Sequence, residues 1–261
     1  MFRRYFMSKE KIAVVCLSGG LDSATVLALA LQECRGGVVV AQFQYGSIHN
    51  SIEARAAEGL FQHYTSYETV PIKSVQIQLP RIFSGGGSAL MSETKMPNLS
   101  YEEIAEGIGP SPTVVPFRNA NLISVATTLA ITHNAERVYI GVHAEDARGW
   151  AYPDCSSEFI GAMANAVYIG SYMKVRLIAP FQWAMKADIV SKGYKLHVPY
   201  GLTWSCYDPV KKGIQTLSCG KCPTCIERIN AFKVNNLIDP ILYAIDIDWE
   251  CCKPYDTTQA T

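Results

Sequence analysis

Residues 12–17, IAVVCL, form an unbroken apolar run that stops at Ser18-Gly19-Gly20. A short run of this kind, rich in β-branched residues and bounded by glycine, reads as a fully buried strand. Asp22 then opens a second apolar body: Ala24, Val26, Leu27, Ala28, Leu29, Ala30 and Leu31. It fades at Glu33–Gly36 and reads as a helix. A buried strand that turns at once into a helix belongs in a parallel sheet covered by helices. The alternation continues. Strands are expected at Gly37–Phe43, Pro71–Ile77, Arg137–Val142 and Lys174–Ile178. Helices are expected at Ile52–Tyr64, Phe117–Asn134, Ser157–Tyr172 and Met185–Tyr194. The fold class is therefore α/β, a parallel sheet with helices on both faces. Ligands of such sheets collect at the carboxyl ends of the strands, which puts Ser18–Ser23, Tyr45–His49 and His143–Asp154 on one rim.

The turn SGGLDS has its own chemistry. Glycine lets backbone N–H groups approach an anion with no Cβ in the way. The helix start adds unpaired N–H donors and partial positive charge, so Ser18, Gly19, Gly20, Leu21 and Ser23 suit a polyphosphate. A carboxylate beside phosphates repels them. Asp22 fits either as a helix cap or as a ligand for the Mg²⁺ that accompanies ATP. The Walker pattern is missing its Gly-Lys-Ser/Thr, and the dinucleotide Gly-x-Gly-x-x-Gly is not present.

The 261 residues suit one domain or one domain with an appendage: an α/β domain at 8–200 and a C-terminal segment at 201–261 packed on it. The net charge is zero, which argues against a broad electrostatic grip on nucleic acid. No run of 18 apolar residues occurs, so no membrane span is expected. MFRRYFMSKEK carries basic residues but no apolar centre, so it does not read as a secretory signal, and Met7 is an alternative start. Residues 80–113 lose periodicity around Gly-Gly-Gly and Pro, the pattern of a lid or a disordered insert.

Nine cysteines are many for a reducing compartment. Cys16 and Cys34 read as packing, and Cys251 and Cys252 have no partner pattern. Cys206, Cys219, Cys222 and Cys225 form two overlapping Cys-x-x-Cys steps plus one residue from a loop. Four thiolates satisfy tetrahedral Zn²⁺ and leave no place for a catalytic water, so the role is structural. Free thiols, a redox pair or an iron–sulfur cluster are the alternatives.

At the other end, GVHAEDARGWAYPDC follows a strand and gathers His143, Glu145, Asp146, Tyr152, Asp154 and Cys155. Its acids suit the amine or amidine edge of a guanine-like ring, on which Tyr152 or Trp150 could stack; an ordinary solvated loop is the plain alternative. Arg118 and Asn119 open a helix after Pro116. An arginine there opposes the helix dipole unless it reaches an anion. Lys186 opens a later helix and is a second candidate for phosphate.

SGGLDS, YGSIH, VPFRN, HAED with YPDC, MKAD, and TWSCY with CGKCPTC occur in one order over residues 12 to about 232. SGGLDS resembles the pyrophosphate loop of the ATP pyrophosphatase superfamily, and the whole series resembles the 7-cyano-7-deazaguanine synthase family. The resemblance implies a Rossmann-like sheet of the adenine nucleotide alpha hydrolase type with a zinc-stapled C-terminal segment. It implies ATP-dependent conversion of 7-carboxy-7-deazaguanine and ammonia to the nitrile, through an adenylated acid and an adenylated amide, for queuosine- or archaeosine-type deazapurines. ATP, Mg²⁺ and structural Zn²⁺ are the implied cofactors, in a cytoplasmic homodimer without stable nucleic-acid binding or membrane association.

By the same resemblance, Ser18, Gly19, Gly20, Leu21, Asp22, Ser23, Arg118 and Asn119 hold ATP, with Asp22, Ser23, Arg118 and Lys186 at the chemistry. Tyr45, His49, His143, Asp146, Tyr152 and Asp154 face the deazaguanine, and the four cysteines hold zinc. No nucleophilic side chain is expected, since orientation and phosphate-charge stabilisation suffice. Ser47 and Ile48 stand where the family commonly has Gln and Arg, and Ile52 stands in place of a Glu, with Glu53 one step on. The loop before Tyr152 and the twelve residues between Cys206 and Cys219 are longer than is common. The altered Tyr45–His49 loop leaves two further readings: a ligase that stops at the amide, or one that conjugates the activated deazapurine to a macromolecule in a phage or antiphage setting. A transfer RNA thiolase or a nucleotide-amidating enzyme of the same superfamily is the remaining one.

Overall fold

The computed structural model describes residues 10–79, 82–83, 87–91 and 111–256. At its centre lie β1 (Ile12–Cys16), β2 (Gly37–Gln44), β3 (Ile72–Gln78), β4 (Arg137–Tyr139) and β5 (Arg176–Ile178). All pair in parallel, in the order β3-β2-β1-β4-β5, with Val14 opposite Val39 on one side and Val138 on the other. The chain runs outward from β1 to β3 and then returns to β4, so the strand order reverses between β1 and β4. A crevice opens beyond the carboxyl ends at such a point.

The helices are α1 (Leu21–Glu33), α2 (Asn50–Tyr67), α3 (Arg118–Thr132), the single turn α4 (Ala144–Ala147), α5 (Ser157–Gly170), α6 (Lys186–Lys195) and α7 (Pro223–Val234). The two-residue period of β1 divides them. Ala13, Val15 and Leu17 point into one apolar cluster with α1, α2, α6 and α7; Val14 and Cys16 point into another with α3 and α5. The uninterrupted apolar run of β1 is thus explained by helices on both faces.

Expected boundaries shift where a neighbour intrudes. β4 pairs only to Tyr139, because Gly141 lies against the start of α1: a Cβ there would stand 3.2 Å from the Ser23 nitrogen. α5 ends at Gly170 rather than Tyr172, since Tyr172 and Met173 take left-handed φ values of 55° and 63°. Part of the aperiodic 80–113 stretch is built in, with Phe83 and Leu90 packing against Tyr45 and Val115. Residues 92–110, where a lid was expected, and 1–9, with the alternative start, lie outside the described residues.

Past residue 200 the chain forms a hairpin, β6 (Val210–Lys212) and β7 (Gln215–Leu217), turned by Gly213 and Ile214. This hairpin takes up the long spacing between Cys206 and Cys219. α7 and a short parallel pair, β8 (Leu237–Ile238) with β9 (Lys253–Pro254), follow. Phe232 and Leu237 are 0% and 2% exposed in the cluster that holds β1 and α1. Burying each contributes about 1.5–3 kcal/mol. Among the described residues, no helix is long and apolar enough to cross a membrane.

Candidate active site

A cleft opens at the carboxyl ends of β1, β2 and β4, and the first turn of α1 forms one wall. Ser18, Gly20, Leu21, Asp22 and Ser23 line it. Two hydroxyls tie the turn: Ser18 Oγ lies 3.0 Å from Ser23 Oγ, and Ser23 Oγ donates to the Gly20 carbonyl at 3.1 Å. The two glycines serve different ends. Gly19, at φ 87°, faces α2, where a Cβ would stand 2.5 Å from the Glu53 carbonyl. Gly20 lies on the cleft side, and its residue caps α1 with no side-chain hydrogen bond. Asp22 is therefore not the cap. Its Oδ2 accepts from Lys186 Nζ at 2.7 Å instead.

Lys186, the first residue of α6, is buried, and its Nζ has three neighbours: Asp22 Oδ2, His143 Nε2 at 2.9 Å and Glu227 Oε2 at 3.3 Å. The lysine reaches this place because Glu145 of α4 accepts its backbone N–H at 2.6 Å and Asp188 accepts from Met185 N at 2.9 Å. His143 Nε2 is also 3.3 Å from Asp146 Oδ2. Burial pushes the Asp22 carboxyl up, but Lys186 and His143 more than offset it and hold it below its usual value. Burial likewise works against the Lys186 charge, and Asp22 and Glu227 override it upward. Glu227 goes the other way: burial raises it to about 7 despite Lys186 and His143. Asp22 Oδ1, Glu227 Oε1 and His143 Nδ1 are buried without a hydrogen-bond partner. A buried polar atom left in this state costs about 1–3 kcal/mol, and these three belong to residues that line the cleft, where a ligand would satisfy them.

The opposite wall is aromatic and cationic. Arg118 Nη1 donates to Tyr45 OH at 3.2 Å, and its guanidinium lies 5.7 Å from the Tyr45 ring centre. Tyr207, Glu53 and Gln42 complete this wall. Burial opposes the Arg118 charge, and Tyr45, Tyr207 and Asp154 more than restore it. Burial raises Glu53 against the pull of Arg118. The combination is a buried wall that holds one strong cation beside planar rings.

Below the cleft, the Sγ atoms of Cys206, Cys219, Cys222 and Cys225 all lie within 4.8 Å of one another, and all four residues are buried. The Cys219–Cys225 and Cys222–Cys206 sulfurs are 3.9 Å apart. Four sulfurs around one tetrahedral ion at Zn–S bond length would be about 3.8 Å apart. By geometry and by donor set the cluster could hold a metal ion.

Known proteins place this arrangement. The family model described as queuosine biosynthesis protein QueC matches residues 12–236. The chain belongs to the QueC family. Relatives named 7-cyano-7-deazaguanine synthase align over most of their own length. That of Methanoculleus marisnigri is 39% identical over 235 residues, covering 89% of this chain and 99% of the relative. That of Thermoplasma volcanium is 40% identical over 239 residues, 90% and 91%. That of Pseudoalteromonas atlantica is 36% identical over 231 residues, 88% and 97%.

Within this QueC-family cleft, Tyr45, Arg118, Asn119, His143, Asp146 and Lys186 line the walls together with the α1 turn. Other residues expected at the ligand stand behind it. His49 stacks under Tyr207, 5.7 Å between ring centres at 18°. Asp154 Oδ2 accepts the Asn119 backbone N–H at 2.9 Å and so caps α3. The Tyr152 hydroxyl bonds Thr113 and Ser111 rather than offering a ring face to the cleft, and Trp150 is exposed. Sequence reasoning missed Glu227, Tyr207, Gln42 and Arg228. Glu227 carried one usable signal: Thr224, Glu227 and Arg228 recur at i, i+3 and i+4 on the helix that starts at Cys222, so the metal site aims them together.

Proposed function

We propose that the chain converts 7-carboxy-7-deazaguanine and ammonia to 7-cyano-7-deazaguanine, the product in its relatives' name, at the cost of ATP. The observation that carries the reading is one cleft holding the SGGLDS turn, Lys186 and Arg118. In this reading the N–H groups of Gly20 and Leu21 and the hydroxyls of Ser18 and Ser23 receive the ATP phosphates. Arg118 and Lys186 balance the charge that develops as pyrophosphate leaves. Asn119, whose side chain donates to the Asp154 carbonyl and the Cys155 sulfur, fixes the start of α3 and hence Arg118. The Tyr45–Tyr207 wall takes the deazapurine ring, with Asp146 and His143 toward its polar edge.

The chemistry needs positioning more than a nucleophile. A carboxylate is a poor electrophile until adenylation makes its oxygen a leaving group. Attack by ammonia then gives the amide and AMP. A second adenylation, of the amide oxygen, permits elimination to the nitrile, with the N–H protons passing to bases in the cleft. Orientation in a water-poor site supplies most of the rate. Mg²⁺ fits at Asp22, whose buried Oδ1 has no partner, and would neutralise phosphate charge there. Zn²⁺ fits the four cysteines and would pin α7 and the 201–261 segment to the α/β part. Cys155 does not suit thiolation: it is 5% exposed, and burial pushes its thiol well above the ordinary value, the opposite of an activated nucleophile. The reading includes a homodimer in the cytoplasm, checked by sedimentation and by fractionation.

One observation keeps the amide in play. Ser47 Oγ accepts from the His49 backbone, and Ile48 is 44% exposed, so this loop offers the cleft no cation. The test is mass spectrometry of products from ATP, Mg²⁺, ammonium and 7-carboxy-7-deazaguanine, with AMP counted. Nitrile with two AMP per product is the expected result. Amide with one AMP shortens the reaction. Neither product nor AMP overturns the reading.

A further inference from the structure

We propose that Glu227 is the binding site for the nitrogen donor, ammonia. This rests on the synthase reading above. The Glu227 side chain is 8% exposed and lines the cleft. Its Oε1 is buried and 3.8 Å from His143 Nε2, beyond hydrogen-bond reach, so a donor entering the cleft would satisfy it. Lys186 cannot supply one, because its three N–H groups face Asp22, His143 and Glu227 Oε2.

The chemistry of the spot narrows the ligand. Glu227, Asp146 and Asp22 are oxygen acceptors, which repel phosphate. A divalent ion could use Glu227, His143 and Glu145. However, Glu145 Oε2 already accepts the Lys186 N–H, and the Lys186 ammonium stands 3.3 Å from Glu227. A divalent ion there would take Glu145 from the backbone N–H that opens α6, while a neutral N–H donor on Glu227 would leave that bond intact. The deazapurine ring edge is also an N–H donor, but the planar groups that suit a ring lie on the Tyr45–Tyr207 wall. Glu227 sits in the Lys186 cluster instead. It shares Lys186 with Asp22 of the phosphate turn, where the activated carbon must lie. Ammonia has three N–H donors and one lone pair. Carboxylates that take its hydrogens leave the lone pair free for attack.

The experiment uses the full metal-loaded chain and its E227Q and E227D variants, with metal content and melting midpoint as fold controls. Separate KM values are measured for ammonium, ATP and acid, together with acid-dependent ATP–pyrophosphate exchange without ammonium. In E227Q the ammonium KM is expected to rise about tenfold or more, with exchange within about threefold of the unaltered chain, since only the nitrogen step is weakened. E227D keeps the charge and should recover part of the loss; it also serves if E227Q does not fold. An unchanged ammonium KM with a raised acid KM overturns the proposal in favour of a ring-edge contact. An equal loss of exchange overturns it in favour of a role through Lys186. Loss of a second bound divalent ion in E227Q overturns it in favour of a metal site. Absent exchange in the unaltered chain overturns the synthase reading itself, and this proposal with it.

Discussion

Glu227 and Arg228 are neighbours on α7, and each enters a buried charge cluster, yet the two clusters follow opposite rules. Arg228 is 1% exposed, and every guanidinium nitrogen has a partner. Nε and Nη2 grip Asp239 at 2.6 and 2.9 Å, Nη1 reaches Thr203 at 2.7 Å and Ser205, and Nη2 also meets the Tyr200 carbonyl. Tyr243 OH closes the far side of Asp239 at 2.7 Å. One residue earlier, the Lys186 cluster leaves Asp22 Oδ1, Glu227 Oε1 and His143 Nδ1 without a hydrogen-bond partner. Satisfied, a buried ion pair is architecture; left open, it is a receptor. One position on α7 thus separates a clamp from a site, and both hang on the four-cysteine cluster at its start.

The largest disturbance removes that start. Stripping the metal with a chelator, or Cys222→Ser, should free α7 and break both clusters at once. A structural site of this kind contributes about 10–16 kcal/mol in isolated domains, so the melting midpoint should fall by about 10 °C or more and activity should vanish. Unchanged melting after complete metal loss would show that the sulfurs are not the anchor.

Next come the clusters one at a time. Arg228→Met leaves Asp239 charged and buried, which should cost about 3–5 kcal/mol in denaturant titration. The double variant Arg228→Met with Asp239→Leu should recover much of that, because a closed pair can be replaced by apolar packing. Asp22→Asn should behave in reverse. Its melting midpoint should fall by less than that of Arg228→Met, while ATP–pyrophosphate exchange drops about 10²–10³-fold, the scale of losing one preorganised electrostatic group. A rate loss from Arg228→Met without a stability loss would erase the contrast.

The open cluster and the metal site were unequally legible in the sequence. SGGLDS and CGKCPTC are local patterns, in which a turn, a helix start or a metal needs fixed residue types a few positions apart. Lys186 and His143 could be named because each opens a segment after a strand. Their partner Glu227 could not, since 41 positions separate Lys186 from Glu227 and only the packing of α6 on α7 brings them together. Arg228 with Asp239, and Tyr207 over His49, are long-range in the same sense. Asp154 and Tyr152 show the converse. Their residue types invited a ligand role, but backbone needs nearby claim them first, the start of α3 for one and the Ser111–Thr113 turn for the other. The identity of a polar side chain does not say whether the chain itself will use it up.

A smaller effect separates the two carboxyls of the open cluster by sign. Glu227 releases its proton near 4.5 when unfolded and at about 7 when folded. Between those values the native chain holds the extra proton, so stability falls as pH rises from about 5 to 7, by up to about 3 kcal/mol. Asp22 is lowered, so its contribution is present above the ordinary carboxyl value and is lost as pH falls through its folded value. Melting midpoints across this range should be flatter for E227Q than for the unaltered chain, and Asp22→Asn should flatten only the acid end. Parallel curves for both variants would mean that the two carboxyls share one environment.

The smallest prediction concerns a residue just outside the contrast. Tyr152 was a candidate to stack on the deazapurine, yet its hydroxyl is tied to Thr113 and Ser111 and its ring does not line the cleft. If it holds the loop that carries Asp154, and through Asp154 the start of α3, Tyr152→Phe removes hydrogen bonds only. The expected cost is about 1 kcal/mol in denaturant titration, with the KM for the acid within about twofold. Tyr152→Leu should lose more stability, since ring packing goes as well, and still leave the KM for the acid nearly unchanged. A ring that stacks on substrate predicts the reverse order: Phe harmless to binding, Leu raising the KM for the acid by about tenfold at little cost in stability. Measuring both variants for both properties therefore decides whether Tyr152 belongs with the closed architecture or with the open site.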